Sequence, residues 1–460
     1  MQKHRGHRIL LAIMDTVSVV IVFNTAGWMR GVAGPEKWII TPLIGPLVVI
    51  MTAIYLIDGY RSRTEMMGAD YTSQHVVAFL VALLVTLLLT YVVIPTAFSL
   101  QGSRLVLAAA FLALAGVTLT YRRSIHRWVK QDQRDRKILF VGTRASGISF
   151  ADVCRSNGLE QDVICAVIGE ETEPPIQTPF DSKLRNYRDV VNEIKAGTLR
   201  IEAIVIRESA NILPENMTEE LIELFFNGVP TYTLELFFEI YWRKIPLYRI
   251  NHIWLFQEGF QIARNPVFER TKRVVDIFLA GVGLILTSPL ILLSAIAIKI
   301  EDGGPAFFRQ SRIGRLRQPF EIIKLRSMRT NNDSSGVNRY TQDNDPRITK
   351  VGAFLRETRI DEIPQLMNVI GGEMSLIGPR AEWDQLVNDY EREIPCYHYR
   401  HLVRPGITGW AQINYPYGAN LDDTLRKLEY DLFYIRHFSF VMDAAIVLRT
   451  INIMLFGKGK

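Results

Sequence analysis

The sequence predicts a membrane α plus α/β protein, and three patterns in its 460 residues predict it. Four apolar runs lie between Ile9 and Tyr121. Strand-like segments then alternate with helical ones from Lys137 to Leu234, and a fifth apolar run at 274–300 contains Ser288-Pro289. These patterns place a four-helix transmembrane unit at 1–125, a parallel-sheet domain at 136–250 and a connector at 251–270. A mainly helical domain at 271–460 follows, opening on a re-entrant membrane helix at 274–300.

The four runs are 9–28, 38–57, 76–94 and 105–121, the last the shortest and the second weakened by Pro42 and Pro46. Each is near the roughly 20 residues that cross a hydrocarbon core. Lys3, Arg5, Arg8, Arg61 and Arg63 fall on one side of this unit, as do Arg122, Arg123, Arg127, Lys130, Arg134, Arg136 and Lys137. Only Arg30, Lys37 and Arg104 fall on the other, so both ends of the unit are expected on the cytoplasmic side. No small-residue cleavage site follows the first run, which is expected to be retained. Asp15 in that run points to bundle-facing packing.

A slightly positive mean hydropathy beside 22% charged residues fits membrane segments joined to polar domains. The three cysteines, Cys154, Cys165 and Cys396, have no metal-ligand spacing and form no disulfide framework, so reduced thiols are expected. The net charge of +6 is spread beside apolar runs, which suits anionic lipid and phosphate partners and not nucleic acid.

From Lys137, KILFVG, VICAV, AIVI and VPTYTL read as strands separated by helical stretches, the pattern of a doubly wound, Rossmann-like parallel sheet. The first turn, Gly142 to Gly147, lacks the middle glycine of a dinucleotide fingerprint, although Glu170 stands where a ribose-binding acid would. A structural or regulatory domain fits as well as a nucleotide-binding one.

The run at 274–300 is basic on both flanks, with Arg270, Lys272 and Arg273 before it and Lys299, Arg309, Arg312, Arg315 and Arg317 after it. Both flanks therefore favour the cytoplasmic side. Pro289 removes one backbone hydrogen bond and bends the helix, leaving two arms of about 13 residues, each too short to cross. A hairpin in one leaflet satisfies both facts; a kinked span is the alternative.

Residues 307–329 mix short strands with basic residues, and Lys324 and Arg326, two apart, would share a strand face with Arg329 close by. Asp343 and Asp345 form an Asp-x-Asp element that could bind metal or start a turn. The densest chemistry lies at 354–379, FLRETRIDEIPQLMNVIGGEMSLIGP. Pro364 suits the first turn of a helix that Gly371-Gly372 closes, which sets Asp361 and Glu362 at or before a helix start. Two carboxylates beside Arg356, Arg359 and Arg380 could hold a divalent metal and a phosphate, and an Asp there could attack phosphorus. Capping is the plain alternative. In 400–414, RHLVRPGITGWAQIN, glycines admit close backbone approach and Trp410 offers a stacking face. The run at 438–456, with Asp443 and Arg449, is short and amphipathic and is expected in the membrane interface.

With FFRQSRIG, FEIIKLRSM, DPRITKVGAFLR, RIDEIPQLMNVIGGEMSLIGPR and RPGITGWAQIN in place, the chain resembles the bacterial sugar transferases. These are polyprenyl-phosphate hexose-1-phosphate transferases with a monotopic catalytic core, and the likeness is detailed from 266 to 460. The resemblance implies Asp361 as phosphoryl-accepting nucleophile and Glu362 as its partner, the two also serving as metal ligands for Mg²⁺. It implies Lys324, Arg326, Arg356, Arg380 and Arg404 as phosphate or substrate contacts and Ser288-Pro289 as the re-entrant break. One departure from the family pattern is Ala381, where Pro-Arg-Pro-Glu is usual. The implied partners are a UDP-sugar, polyprenyl (undecaprenyl) phosphate and membrane lipids. The implied location is the bacterial inner membrane, with the catalytic domain on its cytoplasmic face. A homodimer through the four-helix unit is a further expectation. A direct glycosyltransferase using Asp343 and Asp345, and a non-catalytic nucleotide-sensing recruiter, are the rivals.

Overall fold

The computed structural model describes residues 2–31, 34, 36, 38–61, 63–90, 104–134, 136–159, 162–167, 184–207, 213–247, 266–329, 345, 347–415 and 420–456. It forms two compact units, Met1–Arg243 and Lys244–Lys460. Among the described residues, four helices are long and apolar enough to cross a bilayer: Gly6–Met29, Ala69–Leu88, Arg104–Lys130 and Pro266–Asp302.

The first unit opens with α1 (Gln2–Met29), α2 (Ile44–Leu56), α3 (Ala69–Leu88) and α4 (Arg104–Arg134). Two expectations change here. The second apolar run is helical over only 13 residues, after a 3₁₀ turn at Thr41–Leu43 that Pro42 favours. At helical rise that is about 20 Å, short of a crossing. The fourth run, expected to be the shortest, belongs to a 31-residue helix, because its basic continuation to Arg134 keeps the helical pattern. Asp15 faces inward as expected and is fully buried, with Arg122, Tyr60 and Tyr121 all reaching its carboxylate. Those contacts satisfy a charge that lipid could not.

Among the described residues, this unit also holds a five-stranded sheet of β1 (Lys137–Gly142), β2 (Val163–Val167), β3 (Leu184–Asn186), β4 (Ile201–Ile206) and β5 (Thr231–Thr233). All neighbours pair parallel, in the order β3-β2-β1-β4-β5. Alternate residues of β1 feed opposite cores. Ile138 and Phe140 pack with α5 (Arg144–Ser156) and α8 (Leu234–Trp242). Leu139 and Val141 pack with α6 (Tyr187–Lys195) and α7 (Glu215–Phe226). The doubly wound sheet is therefore present, with β3 added, a three-residue strand too short and too exposed to read beforehand. Glu170 lies outside the described residues.

The second unit opens on α9 (Pro266–Asp302), one helix that contains Pro289. Its helical hydrogen bonding continues through Ser288-Pro289. The cause is local. Pro289 has no N–H for the carbonyl four residues back, Ile285 O, and Ser288 Oγ donates to that oxygen at 2.8 Å. The serine supplies the bond that the proline removes.

One side of α9 is apolar and exposed, including Val274, Phe278, Ile285, Leu286, Leu292, Leu293 and Ile300. The other side is bonded to its own unit at both ends. Near the start, Ser375 Oγ and Leu376 N donate to Asp276, and Lys272 pairs with Asp443 at 2.6 Å. Near the end, Glu301 accepts from Lys350 N and Val351 N, and Asp302 pairs with Arg326.

A hairpin of β6 (Phe307–Ile313) and β7 (Pro319–Leu325) follows. The chain continues through α10 (Lys350–Glu357), α11 (Gln365–Gly371), β8 (Ser375–Ile377), α12 (Asp384–Glu393) and β9 (Gly406–Thr408). It closes with α13 (Trp410–Asn414), α14 (Leu421–Arg436) and α15 (Phe440–Phe456). Trp410 sits at 2% exposure in the main core with Tyr397, Leu432, Phe433 and Tyr434. It is a core residue, which corrects its reading as a stacking face for ligand.

Candidate active site

Asp361 and Glu362 occupy a single 3₁₀ turn, Ile360–Glu362, between α10 and α11. Arg359 enters that turn with φ of 57°, a left-handed conformation that costs a non-glycine residue about 1 kcal/mol or more. α11 begins after Pro364 and ends on Gly372 at φ of 94°, as expected. With only seven residues it contributes little field, so the charge setting comes from side chains around the pair.

Three elements deliver those side chains. β7 carries Lys324, whose Nζ donates to Glu362 Oε1 at 2.7 Å. Arg380, just past β8, reaches the same oxygen at 3.3 Å. Arg359 stands 3.9 Å from Glu362 Oε2. The fourth cation, Arg356, lies half-buried in the last turn of α10 and makes no ion pair among the described residues, while its charge acts on Asp361.

The scaffold fixes these positions closely. Asn368 on α11 clamps β7: its Oδ1 accepts from Ile323 N at 3.0 Å and its Nδ2 donates to Glu321 O at 2.7 Å. α10 lies so close to Ser327 that a Cβ on Gly352 would come 2.0 Å from Ser327 O. Behind Arg380, the buried Arg400 donates to Arg380 O at 3.0 Å while paired with Asp431 at 2.9 Å. β8 and β9 pair so tightly that a Cβ on Gly406 would come 2.1 Å from Gly378 N. The turn at Ala381 is held by these contacts and by Arg312, which donates to Ala381 O at 3.2 Å.

The two acids are driven apart electrostatically. Burial alone would raise the Glu362 carboxyl, but Arg380 and Lys324 outweigh it and hold the group well below the usual carboxylate range. Burial, reinforced by the Glu362 charge, pushes Asp361 up to about 6 against the pull of Lys324, Arg356 and Arg359. Burial also lowers the Lys324 ammonium, which Glu362 only partly restores. Asp361 is 9% exposed, and no hydrogen bond or ion pair reaches its carboxylate among the described residues. Keeping it charged costs about 3 kcal/mol. An unpartnered buried carboxylate ringed by cations is disposed to bond to phosphorus or to a hard cation.

Of the residues predicted from sequence, Lys324, Arg356 and Arg380 surround the acid pair. Two others lie elsewhere. Arg326 follows the end of β7, so the two-residue strand period does not carry it to the Lys324 face, and it pairs instead with Asp302. Arg404 donates to Gly372 O and pairs with Glu269, each at 3.0 Å. It closes the far end of α11, together with Arg273 on Val369 O and Ile370 O. Asp345 has both carboxylate oxygens on Arg347, the turn-starting arrangement, and Arg347 holds its carboxyl down at about 2. Asp343 lies outside the described residues. Asn368 and Arg400 escaped sequence reading, since a polar residue inside a motif carries no local mark of being buried.

Among the described residues no group of three or more His, Cys, Asp or Glu could hold a metal. A lone Asp361 carboxylate with substrate oxygens still fits Mg²⁺, which keeps several waters and takes one or two carboxylates plus phosphates.

Comparison with known proteins bears on this site. The pattern of the family described as bacterial sugar transferase matches residues 267–457. The chain is 40% identical over 263 residues to the UDP-N-acetylgalactosamine-undecaprenyl-phosphate N-acetylgalactosaminephosphotransferase of Aeromonas hydrophila, covering 57% of this chain and 61% of that one. It is 46% identical over 184 residues to the UDP-glucose:undecaprenyl-phosphate glucose-1-phosphate transferase of Escherichia coli (strain K12), covering 39% of each. It is 41% identical over 196 residues to the exopolysaccharide production protein PSS of Rhizobium leguminosarum bv. phaseoli, covering 41% of this chain and 97% of that one.

Proposed function

The chain belongs to the bacterial sugar transferase family, and from that premise we propose that it transfers a sugar 1-phosphate from a UDP-sugar to polyprenyl (undecaprenyl) phosphate, releasing UMP. The reaction would initiate exopolysaccharide, O-antigen or capsule synthesis, with residues 271–460 as the catalytic domain. Relatives acting on UDP-glucose and on UDP-N-acetylgalactosamine both support a UDP-hexose donor.

One observation carries the chemistry: a buried Asp361 with no partner among the described residues, beside a Glu362 already claimed by Lys324 and Arg380. An Asp361 oxygen attacks the sugar-side phosphorus. A P–O bond to the aspartate forms, the P–O bond to UMP breaks, and UMP leaves with the electron pair. An oxygen of polyprenyl phosphate then attacks the same phosphorus, the acyl–phosphate bond breaks, and Asp361 returns as carboxylate. Arg356, Arg380 and Lys324 steady charge on the transferring group. Asp361, or Asp361 with Glu362, would hold Mg²⁺ alongside the diphosphate, and the ion when bound would offset phosphate charge.

α9 takes a membrane-embedded role in which neither flank leaves the cytoplasmic side. Its support is that both ends bond to one polar unit while one side of the helix stays apolar and exposed. The exposed apolar residues of α15, among them Phe440, Val441 and Met454, suit the interface of the same leaflet. Cysteines introduced before and after α9 are expected to react with an impermeant thiol reagent only from the cytoplasmic side; labelling of one flank from outside would make the helix a span.

The released nucleotide tests the reaction. Purified protein in detergent, given undecaprenyl phosphate, Mg²⁺ and UDP-glucose or UDP-N-acetylgalactosamine, is expected to release UMP. UDP as the product would favour direct glycosyl transfer, a reading to which Asp345 lends little because Arg347 occupies its carboxylate.

A further inference from the structure

The hairpin that carries Lys324 leaves two adjacent aromatics uncovered at the end nearest the membrane helix. α9 ends at Asp302 and β6 begins at Phe307. Phe307 and Phe308 are 42% and 43% exposed, an unusual pair to leave wet beside a charged site. Across the hairpin Phe308 stands opposite Lys324 and Phe307 opposite Leu325. Directly paired residues share a face, with their Cβ atoms about 5 Å apart.

Phe308 is therefore on the face from which Lys324 reaches Glu362. Phe307 is on the face where Leu325 packs against Ile298 of α9 and Leu355 of α10. Ile291 and Ala295 of α9 join that cluster, and so does Ile360, the residue before Asp361. The hairpin thus packs on α9 through this buried cluster, α9 exposes Leu292 and Ile296 on another side, and the two exposed phenylalanines stand between α9 and the cationic set. The arrangement matches an amphiphile with an apolar chain and an anionic head.

We propose that the Phe307–Phe308 step is the subsite for the isoprenoid chain of the phosphate acceptor, guiding it from the membrane side of α9 to Asp361. This rests on the transferase reading and adds to it where the lipid enters and which residues grip the first isoprene units. A uracil base stacked on Phe308 would be a different occupant. The packing of this hairpin end on the apolar α9, through Leu325 and Ile298, favours the lipid, because a nucleotide arriving from water has no use for it.

Steady-state kinetics of the full chain in detergent test this, varying undecaprenyl phosphate and the UDP-sugar separately. The donor is whichever of UDP-glucose and UDP-N-acetylgalactosamine the unsubstituted protein turns over. Phe308→Ala is expected to raise KM for undecaprenyl phosphate about tenfold while KM for the UDP-sugar moves less than about twofold. Should that variant melt below the assay temperature, Phe308→Leu and Phe308→Gln give the same reading. Gln raises the lipid KM and Leu does not. An unchanged lipid KM, or a rise confined to the UDP-sugar, overturns the subsite while the transferase reading stands. If the unsubstituted protein turns over neither donor, both fall together.

Discussion

Asp361→Asn is expected to abolish turnover, by about a thousandfold or more, in a protein that still folds and inserts. The amide is nearly the same size as the carboxylate and fits the turn at Ile360–Glu362. It lacks the charged oxygen that attacks phosphorus. The second half of this expectation distinguishes a lost nucleophile from a damaged fold. Asp361 carries a cost for being charged, since burial and the neighbouring Glu362 push it up to about 6. Its folded value lies above its unfolded value, so its contribution to stability is intact below the ordinary carboxylate range and lost as pH rises through about 6. Near neutral pH the Asn variant should therefore melt at the same temperature as the parent or slightly above it. Activity within about tenfold of the parent would remove Asp361 as nucleophile.

Glu362→Gln is the second large effect, and its signature lies in the pH profile. In the parent, kcat/KM should rise with pH through about 6 as Asp361 ionises in the free enzyme. Glu362 is the nearest negative charge raising that value, while Lys324, Arg356 and Arg359 lower it. Removing the Glu362 charge leaves Lys324 and Arg380 unbalanced beside Asp361, so the acid limb should move down in pH. The maximal rate should fall about a hundredfold, because the two cations lose the acid that orients them. A limb that stays in place, or moves up, would show that the pair is not coupled as described.

Much of this was legible because it is local. Pro364 and Gly372 bracket a short helix whatever the rest of the chain does, and Asp361-Glu362 before that proline is a sequence fact. Alternating strands and helices were equally readable, since β1 buries both faces and shows as a continuous apolar run. Long-range pairing was not. Lys324, Arg326 and Arg404 look alike in a basic, glycine-dotted sequence, yet one meets Glu362, one Asp302 and one Glu269. Strand β7 ending at Leu325 separates the first two, and nothing local announces that end. Pro289 is hard to read for a related reason. Whether helical bonding continues past it depends on a neighbour supplying the missing bond, and Ser288 does so. Trp410 looked like a ligand platform because glycines flank it, but those glycines serve the close β8–β9 contact.

The central claim is a phosphosugar carried briefly on Asp361. Incubate the protein with Mg²⁺ and UDP-sugar but no lipid acceptor, quench in acid, digest, and weigh the peptide spanning the Ile360–Glu362 turn. The expected result is added mass equal to one sugar phosphate, located at Asp361 and discharged when undecaprenyl phosphate is supplied before the quench. An unmodified peptide from protein that turns over once lipid is present would contradict the account.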